Sequence, residues 1–302
     1  SLGRVAMSLR ARGDYRAAEP LQREALALHR ELLPDGHPHI ATDLSELAAL
    51  QRALGHPVEA EALYREALAS MTRTRGEDHP YVATIMNNLA RVLKVQKRHG
   101  EAEKLLLDAL AIRRRHLPAT HPSIAMNLSD LGWVAEGAGN IDRAEQYYRD
   151  ALTLYAPDHP WRAAAVFNLG SVLEARGDFP AAERQYREAL AAQRTQYGAT
   201  HERVGVDLRQ LGSVLIRQHR ASDAEHALRE ALQIFQLHYD AADPRLADTQ
   251  LALADTLRGA AQAPEAQDLR RRAHAIRLAA FGADDARTQD AARRLGASSP
   301  AQ

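Results

Sequence analysis

Between residues 82 and 93, the apolar side chains Val82, Ala83, Met86, Leu89, Ala90 and Leu93 recur at steps of three and four residues or as neighbouring pairs. That spacing is the stripe of an amphipathic helix rather than the alternation of a strand. Pro80 suits the first helical position, because the N–H it lacks would be unpaired there, and it pushes His79 into the extended geometry of an N-cap. A polar break after Gln96 precedes a second stripe at Ala102, Leu105, Leu106, Ala109 and Leu110. The pattern predicts a helical hairpin.

The hairpin recurs along the chain. Alanine returns at Ala25, Ala67, Ala109, Ala151, Ala189, Ala231 and Ala273, in steps of 42 residues except for one of 38. His-Pro keeps the same register at His37, His79, His121 and His159, then gives way to His201-Glu202, Asp243-Pro244 and Asp285-Ala286. A loss of four residues between Leu152 and His159 accounts for both short steps. A fixed period of this length predicts an all-α solenoid of stacked units. The expected repeats cover approximately residues 1–36, 37–78, 79–120, 121–158, 159–200, 201–242 and 243–284, with a capping helix over 285–297 and a disordered tail at 298–302. We treat 1–297 as one domain. The first repeat lacks its opening residues and the chain starts at Ser1, which reads as a fragment of a longer protein.

The turns have a physical logic. Gly13, Gly55, Gly139 and Gly177 share one slot, where a left-handed helix end is open to glycine, and Asp14, Asn140 and Asp178 follow as N-caps of the second helix. Pro20, inside a second helix, predicts a bend or a weakened end. In the last segment Thr288 and Gln289 replace apolar residues, as suits a terminal cap.

Counted from His79 as zero, position 7 is large and apolar, 10 is Leu, 11 is Ala or Gly, 18 is usually Gly, 23 is Ala, 27 is Tyr or Leu, and 30 is Ala. Position 23 is alanine in seven units (Ala18, Ala60, Ala102, Ala144, Ala182, Ala224, Ala266), and so is position 30. This pattern resembles the tetratricopeptide repeat. The longer unit and the HPxVAxxxNNLA opening resemble its kinesin-light-chain variety, which also occurs in bacterial signalling proteins. The resemblance implies a right-handed α-solenoid of about seven helix–turn–helix repeats plus a C-terminal capping helix, with a concave face, lined by the first helices, that binds peptides.

Composition narrows the function. Lys plus Arg and Asp plus Glu number 39 each, so no global field favours nucleic acid or an anionic membrane. No cysteine is present, which removes disulfides, thiol nucleophiles and thiolate metal sites and fits a cytoplasmic setting. Five of the fourteen histidines hold the slot before the first helix, and aspartate replaces them at 243 and 285. The shared property of His and Asp there is capping rather than metal binding. No phosphate loop, nucleophile elbow or paired-carboxylate motif occurs, so neither an enzyme nor a cofactor is expected. The basic triplets Arg113–Arg115 and Arg270–Arg272 read as solvated surface, and Tyr64, Tyr148 and Tyr186 as core.

Positions 8, 9 and 12 of the first helix vary freely where core positions do not. They supply the candidate peptide-binding residues Asn87, Asn88, Arg91, Ser129, Asp130, Trp133, Asn168, Arg209 and Gln210. The family resemblance assigns Asn88 and Asn168 to holding the backbone of an extended peptide, while Asp130 and Gln210 depart from that pattern. Trp133 is the expected apolar anchor. The expected protein is a non-catalytic scaffold for a protein or peptide, the recognition module of a larger signalling protein; the rival reading is a ligand sensor controlling an attached kinase, NTPase or protease.

Overall fold

A computed structural model of the chain describes residues 2–257 and 261–296. The tail at 298–302 lies outside them. Among the described residues there are fifteen helices and no strand. Two compact units meet in sequence at Ala156 and Pro157, inside the shortened connection.

The first unit holds α1 (Leu2–Ala11), α2 (Tyr15–Leu32), α3 (Pro38–Ala53), α4 (Pro57–Arg75), α5 (Pro80–Val95), α6 (His99–His116), α7 (Pro122–Gly137) and α8 (Ile141–Leu154). The second holds α9 (Arg162–Arg176), α10 (Phe179–Tyr197), α11 (Glu202–Arg217), α12 (Ala221–His238), α13 (Pro244–Thr256), α14 (Ala263–Phe281) and α15 (Ala286–Gly296). Helices pair in sequence as hairpins, and the second helix of one hairpin packs on the first helix of the next within each unit. Successive first helices also touch, α3 with α5 and α5 with α7. First helices are therefore enclosed on more sides than second helices: α7 buries nine residues, α8 only four.

The alanine register is the seam of each hairpin. Ala60, Ala102, Ala144, Ala182 and Ala224 at position 23, and Ala67, Ala109, Ala151, Ala189 and Ala231 at position 30, have no exposed surface. Where position 27 is a buried tyrosine, position 11 can shrink further. A Cβ on Gly132 would stand 2.8 Å from the Tyr148 ring, and one on Gly170 would stand 2.8 Å from Tyr186. Tyr64, Tyr148 and Tyr186 are core, as expected.

Helix starts follow the sequence. His37, His79 and His121 each accept the backbone N–H two residues on, at 3.1–3.2 Å, through Nδ1. Asp243 and Asp285 do the same at 2.9 and 2.8 Å and also bind the following Arg245 and Arg287 side chains. Asp14 and Asp178 cap their helices, but Asn140 holds the cap position without a side-chain bond. α2 runs unbroken through Pro20.

The turn slot is left-handed wherever glycine fills it, and also at Lys97 (φ 62°) and His219 (φ 59°). Thr288 corrects the reading of α15 as polar on its outer face: it is buried and donates to the Arg277 carbonyl at 3.1 Å, while Gln289 is exposed.

Two stability outcomes follow from this packing. Ala109→Leu should overpack the α5–α6 crossing and cost about 1–3 kcal/mol; an unchanged urea midpoint would contradict the close contact. Lys97→Gly should be stabilising by roughly 0.5 kcal/mol, because relief of the left-handed strain outweighs the extra freedom of the unfolded chain. A lower midpoint in that variant would show that the turn carries no strain.

Candidate functional site

The candidate residues fall into two groups, one in each unit. In the first unit, α5 and α7 bring Asn87, Arg91 and Asp130 together. Asn87 is 2% exposed and Asp130 8% exposed. Arg91 grips Asp130 with Nε at 3.0 and 3.1 Å and with a second guanidinium nitrogen at 2.9 Å. Asn87 Nδ2 donates to the same carboxylate, and Asn87 Oδ1 accepts from Arg113 at 2.8 Å. Arg113 reaches on to Asn127 Oδ1 at 3.0 Å and the Ser123 carbonyl at 3.2 Å, and Asn127 Nδ2 donates to the Leu106 carbonyl at 3.0 Å.

This network crosses the seam between two repeats. Burial raises the pKa of the Asp130 carboxyl, with Arg91, Asn87 and Arg113 acting against that rise. Burial likewise lowers the pKa of the Arg113 guanidinium, opposed by Asp130. Two cations and one carboxylate leave the cluster with a net positive charge.

Position 8 was expected to be free surface, and here the structure differs. Asn87 and Ser45 are buried and Ser129 is half-buried, its hydroxyl turned back to the Ala125 carbonyl at 3.0 Å. The reason is the enclosure of first helices: position 8 faces the neighbouring first helix rather than solvent. Asp130, at position 9, is also spent internally. Arg113 corrects the reading of the basic triplets as solvated surface, since it is buried at 4% exposure, whereas Arg115 is exposed and pairs with Asp78.

Three candidate groups of the first unit still face outward. Asn88 is half-buried and its carboxamide has no partner among the described residues. Arg91 keeps a third of its side chain exposed beyond its bond to Asp130. Trp133 is half-buried, with Lys94 Nζ 3.7 Å from its ring centroid. Lys94 was not singled out in the sequence. Its signal was position 15 of the first helix, one turn beyond position 12.

In the second unit Asn168 on α9 and Arg209 and Gln210 on α11 are half-buried. Trp161, at the foot of α9, is 49% exposed and packs edge-on against His159. It was overlooked because it occupies position 2, which carries no aromatic rule in the repeat. Among the described residues no three His, Asp or Glu side chains form a metal cage, and no helix is long and apolar enough to cross a membrane.

Hairpins whose first helices carry variable polar side chains over an invariant small-residue seam define an all-α repeat scaffold of the kind used for protein–protein interaction. The tetratricopeptide repeat model matches residues 1–73, 58–115, 81–156 and 161–237, and the chain belongs to that family. No curated protein matches its sequence. Among solved structures it is similar to BtubC (BKLC) from P. vanneervenii, at 22% identity and TM-score 0.64 over 76% of this chain and 93% of that one. It is also similar to kinesin light chain TPR-like repeats of Podosopora anserina, at 23% identity and TM-score 0.55 over 65% and 95%. A chain of the APC/C hetero-tetramer Cut9-Hcn1 gives TM-score 0.69 at 15% identity over 96% of this chain and 48% of that one. At these identities the likeness is one of fold.

The network makes a prediction of its own. Asp130→Ala leaves Arg91 and the Asn87 amide without their acceptor and should cost about 2 kcal/mol, below the loss for a fully buried pair because Arg91 reaches solvent. Urea denaturation beside Arg91→Ala and the double variant checks it: strictly additive losses would mean that the two groups do not act as a pair.

Proposed function

We propose that the chain is a non-catalytic scaffold that holds a protein or an extended peptide segment, as the recognition module of a larger bacterial signalling protein in the cytoplasm. The single observation that carries the site is the outward set Asn88, Arg91 and Trp133 on α5 and α7, seated on a buried network that fixes Arg91. A carboxamide with both its donor and its acceptor unspent can bond an extended backbone without reading its sequence. Arg91, already oriented by Asp130, offers its outer edge to an acidic or carbonyl group at little further entropic cost. Trp133 supplies apolar area, with the Lys94 ammonium seated over one face of its ring. Asn87, Ser129 and Asp130 serve this site from beneath, as supports.

On the second unit, Asn168 of α9 and Arg209 and Gln210 of α11 are half-buried polar side chains open to the same kind of contact. Membership of a repeat family used for protein interaction supports the reading, as does a structural neighbour whose own structure is a hetero-tetramer.

With one or two anchors, affinity should be in the micromolar range to order of magnitude. The experiment is selection of ligands from a random peptide library displayed on phage, followed by calorimetry of the best peptide with Asn88→Ala and Trp133→Ala at unchanged helicity. Each variant should bind about tenfold more weakly, roughly 1.4 kcal/mol. Parental affinity in both would move the site off this face.

A further inference from the structure

Inside the second unit, Asp207 of α11 and Gln193 of α10 face each other across the seam between two repeats. They are 1% and 4% exposed. Gln193 Nε2 donates to Asp207 Oδ1 at 3.3 Å, and this is the one bond between them. The other two oxygens of the pair, Asp207 Oδ2 and Gln193 Oε1, are both buried and have no partner among the described residues. A carboxylate has about four acceptor sites and no donor, so an ionised Asp207 can never satisfy Gln193 Oε1, whichever way the amide is turned. Leaving two buried acceptors unmet is costly. A single proton removes the conflict.

The equivalent seam in the first unit shows what is missing. His29 and Asp43 stand at the same spacing of fourteen residues, and Asp43 also receives Gln22 Nε2 at 3.1 Å. The residue that corresponds to Gln22 in front of Asp207 is Tyr186, whose hydroxyl is given to Glu174 at 2.8 Å. Arg113 and Asn127 fill the same seam farther along with a cation and an amide. Asp207 thus shares its slot with Asp43 but lacks the imidazole and the Gln22 amide that Asp43 receives.

The charges around it do not compensate. Among the described residues, the charged side chain that acts on Asp207 is Arg203, one turn earlier on α11, and its guanidinium lies over the Tyr197 ring at 5.4 Å. Among the described residues no charged side chain of α10, α12 or α13 bonds to Asp207. α12 presents Ile234 and Phe235 to the neighbouring Gly205.

We propose that the folded repeat holds Asp207 as the neutral acid, its O–H donating to Gln193 Oε1 while Gln193 Nε2 donates to Oδ1, so that one proton closes a two-bond ring locking α10 to α11 and its loss to solvent opens that ring. Burial pushing the carboxyl up to about 7 agrees with this. The unfolded chain releases the proton in the ordinary carboxylate range, near 4. Stability from the ring is therefore fully present below that range and is lost as pH rises to about 7, beyond which the loss is complete. The α10–α11 seam is a joint that tightens on mild acidification.

The test uses the full chain labelled with carbon-13 at the aspartate carboxyl. One carboxyl resonance should titrate near neutrality in the parent and be missing in Asp207→Asn, whose amide can mimic the acid without titrating. Urea denaturation between pH 4 and 7 should show an unfolding constant that rises in the parent by about tenfold per pH unit relative to Asp207→Asn. If Asp207→Asn does not fold, Gln193→Met keeps the carboxyl but removes the ring, and the neutral-range resonance should move in that variant. Titration of every aspartate in the ordinary range, or equal pH dependence in parent and Asp207→Asn, would overturn the proposal.

Discussion

Each hairpin meets its own second helix through alanine at two fixed positions, and the close crossing this permits sets every other distance in the stack. Dispersion and apolar burial fall off within a fraction of an ångström of a gap, so a seam of small residues allows the two helices to share large side chains from either side. Tyr148 and Tyr186 can lie flat against Gly132 and Gly170 only because the crossing is that tight. The same closeness encloses the first helices between neighbours and leaves the second helices with one buried face. The first helices are then left with only a narrow strip of positions that no neighbour covers.

The second helices use their exposed side to tie successive repeats together. Arg23 with Glu59, Arg65 with Glu101 and Arg229 with Glu265 pair at 2.5, 3.4 and 2.7 Å, each thirty-six residues apart. Arg98 with Glu61 and Arg220 with Glu183 run the ladder in the opposite sense at 2.7 and 2.8 Å. A single exposed pair of this kind adds little, and the ladder's worth lies in its repetition and in fixing register. In the second unit a further pin joins one repeat to the next: Arg245 lies 3.4 Å over Tyr239 while bonding Asp243, and Arg287 lies 3.4 Å over Phe281 while bonding Asp285. Aspartate replaces histidine at the cap there because it can hold the arginine as well as the backbone N–H.

The fold was legible because its determinants are periodic. Alanine, glycine, proline and the capping slot recur at fixed intervals, and each has a local physical meaning that needs no partner to be known. The candidate site was legible only in outline. Asn88, Arg91 and Trp133 stand out because variation between repeats marks uncovered surface, but Asn87 differs from its counterparts for another reason: it bonds Arg113 of its own repeat and Asp130 of the next. Freedom to vary at one position therefore has two causes, exposure and compensation, and a single sequence shows both in the same way. Trp161 and Lys94 were missed because position 2 and position 15 have no fixed role in the repeat.

Compensation of this kind also says where such an array is most individual. An apolar seam between repeats is interchangeable, since Met71 and Ile85 would pack against any neighbour of similar size. A polar seam is not: Arg113 needs Asn87 and Asn127 on either side, and Gln193 needs Asp207, so each of these hairpins is matched to one neighbour. Such matching costs stability when a partner is wrong, because the orphaned group remains buried. The three polar seams, Gln22–Asp43–His29 among them, therefore fix the register in which otherwise similar hairpins stack, their order being set by the chain itself. That register sets how variable side chains stand beside one another on the uncovered strip, and so contacts inside the seams shape the surface outside them.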